Sequence, residues 1–156
     1  MRPAPNGWPR ASSAVFYEDA QAAIDWLGRA FGFEPRLVVE GEGGSVVHSE
    51  LVLGEGVIMV GQVGRRPWAR SPRQLGGANT QSIMVYVDDA SAHCQRARAA
   101  GATIATEPKV SDYGEEYWKD RSYEAIDLEG HHWWFCERLA GASRPRTGGV
   151  RVKEHE

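Results

Sequence analysis

Apolar residues recur along this chain in two alternating periods. Residues 12–17 and 81–87 are short runs rich in Val, Ile and aromatic side chains, the composition that strands prefer. Each run leads into a stretch at helical spacing. Ala20, Ala23, Ile24, Leu27 and Phe31 form one apolar stripe, and Ala90, Cys94, Ala97 and Ala100 form a weaker one. Asp19, and Asp88 or Asp89, stand where a carboxylate accepts the free N–H groups of a first helical turn. Gly32 and Gly101 stand where a left-handed C-terminal cap is needed. Residues 35–40, 45–53 and 57–61 then predict three strands, matched further on by 102–107, 120–128 and 131–137. Gly54-Glu55-Gly56 and Glu129-Gly130 predict the turns before each final strand.

The same pattern therefore occurs twice. Ala14 to Ala20 matches Met84 to Ala90 at an offset of 70, and Gly32 matches Gly101 at 69. Glu50 to Gly56 matches Glu124 to Gly130 at 74. Three matches in one order at nearly constant offset indicate an internal duplication. The expectation is an α+β fold: two βαβββ modules forming a curved, cupped mixed sheet around a pocket, with the helices on the convex side. The chain divides into an N-terminal extension (1–11), a first module (12–61), a linker (62–79), a second module (80–138) and a C-terminal tail (139–156). Within the second module, residues 108–119 read as a polar loop studded with aromatics.

Strand alternation assigns side chains to the two faces. In 45–53, Val47, Leu51 and Leu53 form the set a helix would cover, leaving His48 and Glu50 together on the other face. In 81–87, Ile83, Val85 and Val87 face the helix while Ser82, Met84 and Tyr86 face the pocket. The offsets place Ser12, Ala14 and Phe16 inward, and set Ser122 and Glu124 opposite His48 and Glu50 in the duplication. In the last strand His132 and Trp134 face in, while His131 and Trp133 face away. The expected ligand site is an apolar wall of Phe16, Met84, Tyr86 and Trp134 carrying His48, Glu50, Glu124 and His132. Trp68 and Trp118, on the two long loops, are its lids.

His48 and Glu50 are the candidate catalytic pair, since a carboxylate beside an imidazole tunes its proton affinity. The competing reading makes them ordinary polar residues at a pocket rim. His48, Glu50, Glu124 and His132 have the right types for an unconventional metal site, although their spacing matches no known motif. His93 reads as an ordinary helix residue. Arg65, Arg66, Arg70 and Arg73 are candidates for an anion site, against the common fate of loop charges, which is solvation. Phosphate loops, nucleophile elbows and cysteine metal motifs do not occur.

Composition narrows the classes. The chain has 156 residues, enough for one domain, with 42% hydrophobic content as in globular proteins. A net charge of -3 and a pI near 6.0 give no field that would draw nucleic acid or a membrane surface. No apolar run approaches a membrane span, and the N-terminus lacks the apolar core of a signal peptide. Cys94 and Cys136 read as reduced core thiols, which fits a cytoplasmic protein.

Phe16-Tyr17-Glu18-Asp19-Ala20 leading to Ala30-Phe31-Gly32-Phe33 resembles the start of glyoxalase/bleomycin-resistance-like proteins of the vicinal-oxygen-chelate superfamily. Tyr86 to Asp89 and Asp127 to Trp133 extend the resemblance over residues 12–138, and within the superfamily it is strongest to the PhnB-like branch. That resemblance implies metal ligands at Ser12, at Met59 or Val60, at Ser82 and at Trp134. None is an imidazole or carboxylate, so the expectation is no metal and no cofactor. The function expected is metal-free binding of a small aromatic or amphipathic molecule in the concave pocket. The alternative is an enzyme of lyase, isomerase or dioxygenase type using His48 and Glu50 or a displaced metal. A third reading is an interaction module whose pocket is closed. The resemblance further implies a homodimer, and leaves open whether each pocket lies within one chain or across two.

Overall fold

Each half of the chain lays one strand, one helix and three strands in order. A computed structural model describes residues 1–114 and 117–141. The first module contains β1 (Ser13–Tyr17), α1 (Ala20–Phe31), β2 (Glu34–Glu40), β3 (Val46–Leu53) and β4 (Gly56–Gln62). The second contains β5 (Ile83–Tyr86), α2 (Ala90–Ala99), β6 (Thr103–Asp112), β7 (Trp118–Ile126) and β8 (His132–Gly141). The strand orders are β1-β4-β3-β2 and β5-β8-β7-β6. Strand β1 pairs parallel to β4 and β5 parallel to β8, and the remaining pairs are antiparallel. The α+β duplication is as expected, with two mixed four-stranded sheets that are not hydrogen-bonded into one.

The helix signals act as read. Asp19 and Asp89 cap α1 and α2, each carboxylate accepting from the backbone three residues on at 2.9 Å. Gly32 ends α1 in the left-handed region, and Gly101 follows the Ala100 cap of α2. Strands β4 and β8 add a second acceptor at each helix start. Ala20 N–H donates to Gln62 Oε1 at 3.3 Å, and Ala90 N–H to Glu137 Oε2 at 3.1 Å.

One core serves both modules. Phe31 of α1 packs on Trp133 and Phe135 of β8, with ring centroids 5.3 and 4.7 Å apart. Trp26 donates its indole N–H to Ala100 O at 2.8 Å. His93 is more than a surface helix residue. Its Nε2 lies 2.9 Å from Phe31 O, which can only accept, so Nε2 carries the proton and Nδ1 accepts from Tyr123 Oη at 2.6 Å. Burial lowers its proton affinity, which suits this neutral bridge between the helices and β7. Cys94 and Cys136 are buried free thiols.

Three expectations are corrected. Val47 is not on the helix-facing side. Val39 pairs with His48 but Glu40 pairs with Val46, so Val47 is passed over in a bulge. Val46 then reaches the core at 0% exposure, beside Ser49 and Leu51, and Val47 is 40% exposed. The 108–119 loop is mostly strand, because β6 and β7 pair from Thr103–Ile126 out to Asp112–Lys119. Pro108 is tolerated there because it falls at an irregularity of an edge strand, where no ladder N–H is required. Trp118 accordingly begins β7 instead of standing on a loop; residues 115 and 116 lie outside the described residues. β8 runs to Gly141, past the expected end at 137, paired through Trp118–Gly141. Residues 142–156 of the expected tail lie outside the described residues. Among the described residues no helix is long and apolar enough to cross a membrane.

Candidate functional site

Alternation leaves each sheet with one face away from its helix. On the first, Val15 and Tyr17 go to the core while Ala14 and Phe16 stay on the open face. Gly61, opposite Phe16 in β4, allows this ring to lie flat across the strand, since a Cβ there would meet Phe16 at 2.9 Å. His48 and Glu50 share the open face with Leu37 and Val39, their cross-strand neighbours in β2. His48 Nε2 lies 3.1 Å from Glu50 Oε1. Arg36, freed by a register shift in β2, closes on Glu50 Oε2 at 2.7 Å. Hydrogen bonds from His48 and then Arg36 hold the Glu50 carboxyl below its ordinary range. Arg36 also donates to Gly7 O at 2.5 Å and lies 4.7 Å from the Trp8 ring centre, so the N-terminal extension is strapped beside this cluster.

The second sheet repeats the arrangement by a different route. Met84 and Tyr86 stand on its open face at 59% and 49% exposure, with Trp134 opposite Met84 and Glu124 opposite Trp134. His132 Nδ1 contacts Glu124 Oε1 at 2.6 Å, and Thr106 donates to Glu124 Oε2 at 3.3 Å. Glu50 and Glu124, equivalent in the duplication, thus each hold a histidine, one along its own strand and one across to β8. Further out, Arg138 is hydrogen-bonded to Asp120 and to the Tyr86 hydroxyl. Its guanidinium lies 5.2 Å from the Tyr86 ring centre and 5.3 Å from that of Trp118. Arg36, Asp120 and Arg138 escaped the sequence reading. Their partners are cross-strand, set by registers that local pattern does not contain.

At the seam between the sheets, Gln81, just before β5, donates to Ser13 Oγ of β1 at 3.3 Å. Residues 68–82, from the linker and the start of the second module, lie over this seam and line an open cavity of about 790 Å³. The linker is held down by Arg73, which donates to Leu128 O at 2.7 Å, and by Asn79, which donates to Gly130 O at 2.9 Å. Trp68 stands edge-on to Phe16, centroids 5.4 Å apart, and remains 67% exposed. Of the residues expected to form one site, Phe16, Trp68 and Met84 line this cavity. Met84 and Tyr86 also line a second space of about 320 Å³ beside the β3–β4 turn. His48 and Glu50 lie on the first open face, and Trp118, Glu124, His132 and Trp134 on the second, outside both spaces.

The family model of the glyoxalase/bleomycin resistance protein/dioxygenase superfamily matches residues 11–135. The chain belongs to this superfamily. An uncharacterized protein of Mycobacterium bovis is 33% identical over 128 residues, 80% of each chain. An uncharacterized Mycobacterium tuberculosis protein shows the same identity, with 72% of its length covered. Among solved structures, TioX from Micromonospora sp. ML1 is 34% identical and superposes with a TM-score of 0.62, over 82% of this chain and 97% of that one. A superfamily member from Sphaerobacter thermophilus shares the fold at 16% identity and a TM-score of 0.64, over 81% and 94%.

At the positions where the resemblance implies metal ligands, the side chains present are poor ligands for a divalent ion. Met59, opposite Ala14, is on the open face, whereas Val60 is in the core at 1% exposure. The implied positions are then Ser12, Met59, Ser82 and Trp134, which carry two hydroxyls, a thioether and an indole. The displaced set is not assembled either. His48 and Glu50 form one pair and His132 and Glu124 another on a different sheet. Among the described residues no three His, Cys, Asp or Glu side chains converge as a metal site requires.

Proposed function

We propose that this superfamily member binds a small aromatic or amphipathic organic molecule, without a metal, in the cavity between the linker and strands β1 and β5. The observation that carries the reading is Trp68, a large ring kept mostly exposed and propped edge-on against Phe16 at the wall of a cavity of about 790 Å³. That volume falls within the range of small-molecule sites, roughly 300–1,000 Å³. An exposed indole carries the largest binding area of any side chain at low entropy cost. The Ser, Met, Ser and Trp side chains at the metal positions support a metal-free site.

Titration with N-phenyl-1-naphthylamine, a neutral aromatic fluorophore, tests this reading. Saturable enhancement is expected, weakened about tenfold by Trp68→Ala. No saturable binding, or binding indifferent to both Trp68→Ala and Phe16→Ala, overturns it.

The His48–Glu50 contact of 3.1 Å favours a second reading, an enzyme of lyase, isomerase or dioxygenase type. Against it, Glu50 is held ionised by two donors and is a poor base. Elemental analysis of untagged protein, with Ni²⁺, Zn²⁺ and Mn²⁺ titration, separates the two. Near-stoichiometric metal lost in His48→Ala or Glu50→Ala would overturn the metal-free reading and favour a metal-dependent enzyme.

The motifs around Phe16–Ala20 and Asp127–Trp133 support assignment to the PhnB-like branch as part of this proposal, and the two buried free thiols fit the cytoplasm. A homodimer fits the apolar groups on the open faces, Leu37, Val39, Met84 and Tyr86. Light scattering should then give twice 17.2 kDa; a monomer at micromolar concentration overturns the dimer.

A further inference from the structure

The linker carries an uneven charge. Between Gly56 and Val87 the sequence has four arginines, Arg65, Arg66, Arg70 and Arg73, and no aspartate, glutamate or lysine, in a chain whose net charge is -3. Their surroundings differ. Arg73 is committed to the Leu128 carbonyl, and Arg66 lies 6.0 Å from the centre of the exposed Trp68 ring. Arg70 alone of the four lines the large cavity, where it makes one hydrogen bond, to the neighbouring Ala69 carbonyl at 3.0 Å. Arg36, Arg98, Arg121 and Arg138 each hold a carboxylate; Arg70 holds none among the described residues. Among the described residues the cavity wall contains no carboxylate. Its other titratable group is His131, whose Nδ1 is turned to Asp127 at 3.1 Å.

A guanidinium without a counter-ion, set in a wall otherwise made of apolar groups, hydroxyls, the Asn79 and Gln81 carboxamides and the His131 imidazole, attracts a negative group and repels a positive one. We infer that the cavity selects aromatic molecules carrying an anionic group. The ring lies at Phe16 and Trp68, and a carboxylate, sulfonate or phosphate lies at Arg70. This inference rests on the binding function proposed above, and adds the charge of the ligand to it.

Two probes that share one aromatic framework test it on the full chain. 8-Anilino-1-naphthalenesulfonate carries a sulfonate, and N-phenyl-1-naphthylamine lacks it. The sulfonate is expected to bind about fivefold or more tightly than the neutral probe. Arg70→Gln should erase that preference while leaving affinity for the neutral probe within about twofold, and Arg70→Lys should restore part of it. Raising salt from roughly 50 to 500 mM should weaken the sulfonate alone. Neutral binding as tight as sulfonate binding overturns the inference and leaves the binding function standing. So does a preference that survives Arg70→Gln, or that falls as far in Arg65→Gln. Absence of saturable binding by both probes overturns the binding function and this inference together.

Discussion

Tyr17 donates its hydroxyl to Asp127 Oδ2 at 2.7 Å, joining the end of β1 in the first module to the turn before β8 in the second. The same carboxylate accepts from Trp133 Nε1 and from the backbone N–H groups of Glu129 and His131, each at 3.0 Å. Glu129 reaches back to the N–H groups of Glu18 and Asp19 at 2.8 and 3.2 Å. The Asp127–Trp133 segment, which marks the superfamily in the sequence, therefore acts here as the clasp between the two modules.

Tyr17 is fully buried, so Tyr17→Phe removes one buried hydrogen bond and should lower stability by about 1–2 kcal/mol. Asp127→Ala should cost about 3 kcal/mol or more, because it strands several buried donors at once. Urea denaturation measures both. A Tyr17→Phe variant as stable as the parent would show that the clasp contributes nothing net.

Burial pushes the Asp127 carboxyl up, but hydrogen bonding and charge from His131, with bonds from Tyr17 and Trp133, outweigh it and leave the group below its ordinary 3.8. A depressed carboxyl contributes stability that is present above the unfolded value and lost as pH falls through the folded one. The parent should thus lose this contribution only below about pH 4. Asp127→Asn should be less stable at neutral pH and show a flatter acid limb. Denaturation midpoints across the acid range would decide; parallel acid limbs would contradict the linkage.

Gly32 sits at φ 82°, where a side chain is strained, and a Cβ there would lie 3.0 Å from Arg96 Nη1. Arg96 cannot move without cost, since it donates to Arg29 O at 2.8 Å and Gly28 O at 2.7 Å. Gly32→Ala should destabilise by about 1–2 kcal/mol. Gly43, also at positive φ but with open space around it, should lose less on the same substitution. Equal thermal shifts for the two variants would remove any role for the Arg96 contact.

Both thiols are pushed above their ordinary 9.0, Cys94 by burial against the pull of Arg98, and Cys136 by burial and then by Asp120. At mildly alkaline pH, a disulfide reagent should label each cysteine only as fast as the protein opens, and both promptly in denaturant. Prompt labelling of the native protein would show one of them to be accessible.

Local signals read correctly wherever one residue governs one local geometry. The caps at Asp19 and Asp89, the left-handed Gly32, and the alternation through Phe16, Met84, Tyr86 and Trp134 all follow from short-range sterics and period-two geometry. The bulge that turns Val46 and not Val47 to the core was hidden, because it depends on how β2 and β3 share their ladder. The length of the β6–β7 hairpin was hidden for the same reason.

Legible in the sequence were the duplication, the α+β order of elements and the open-face residues of most strands. The elements and faces are carried by spacing within about ten residues, the range over which backbone preference and periodicity act, and the duplication by recurrence of that pattern about 70 residues on. Only the tertiary contacts set the two Glu–His pairs apart, made Asp127 the clasp, and laid the arginine-rich linker beside a cavity over β1 and β5 with Arg70 in its wall. Those outcomes depend on contacts between segments 50 to 110 residues apart, such as Arg73 with Leu128 and Tyr17 with Asp127. Their energies arise only when burial brings the partners together.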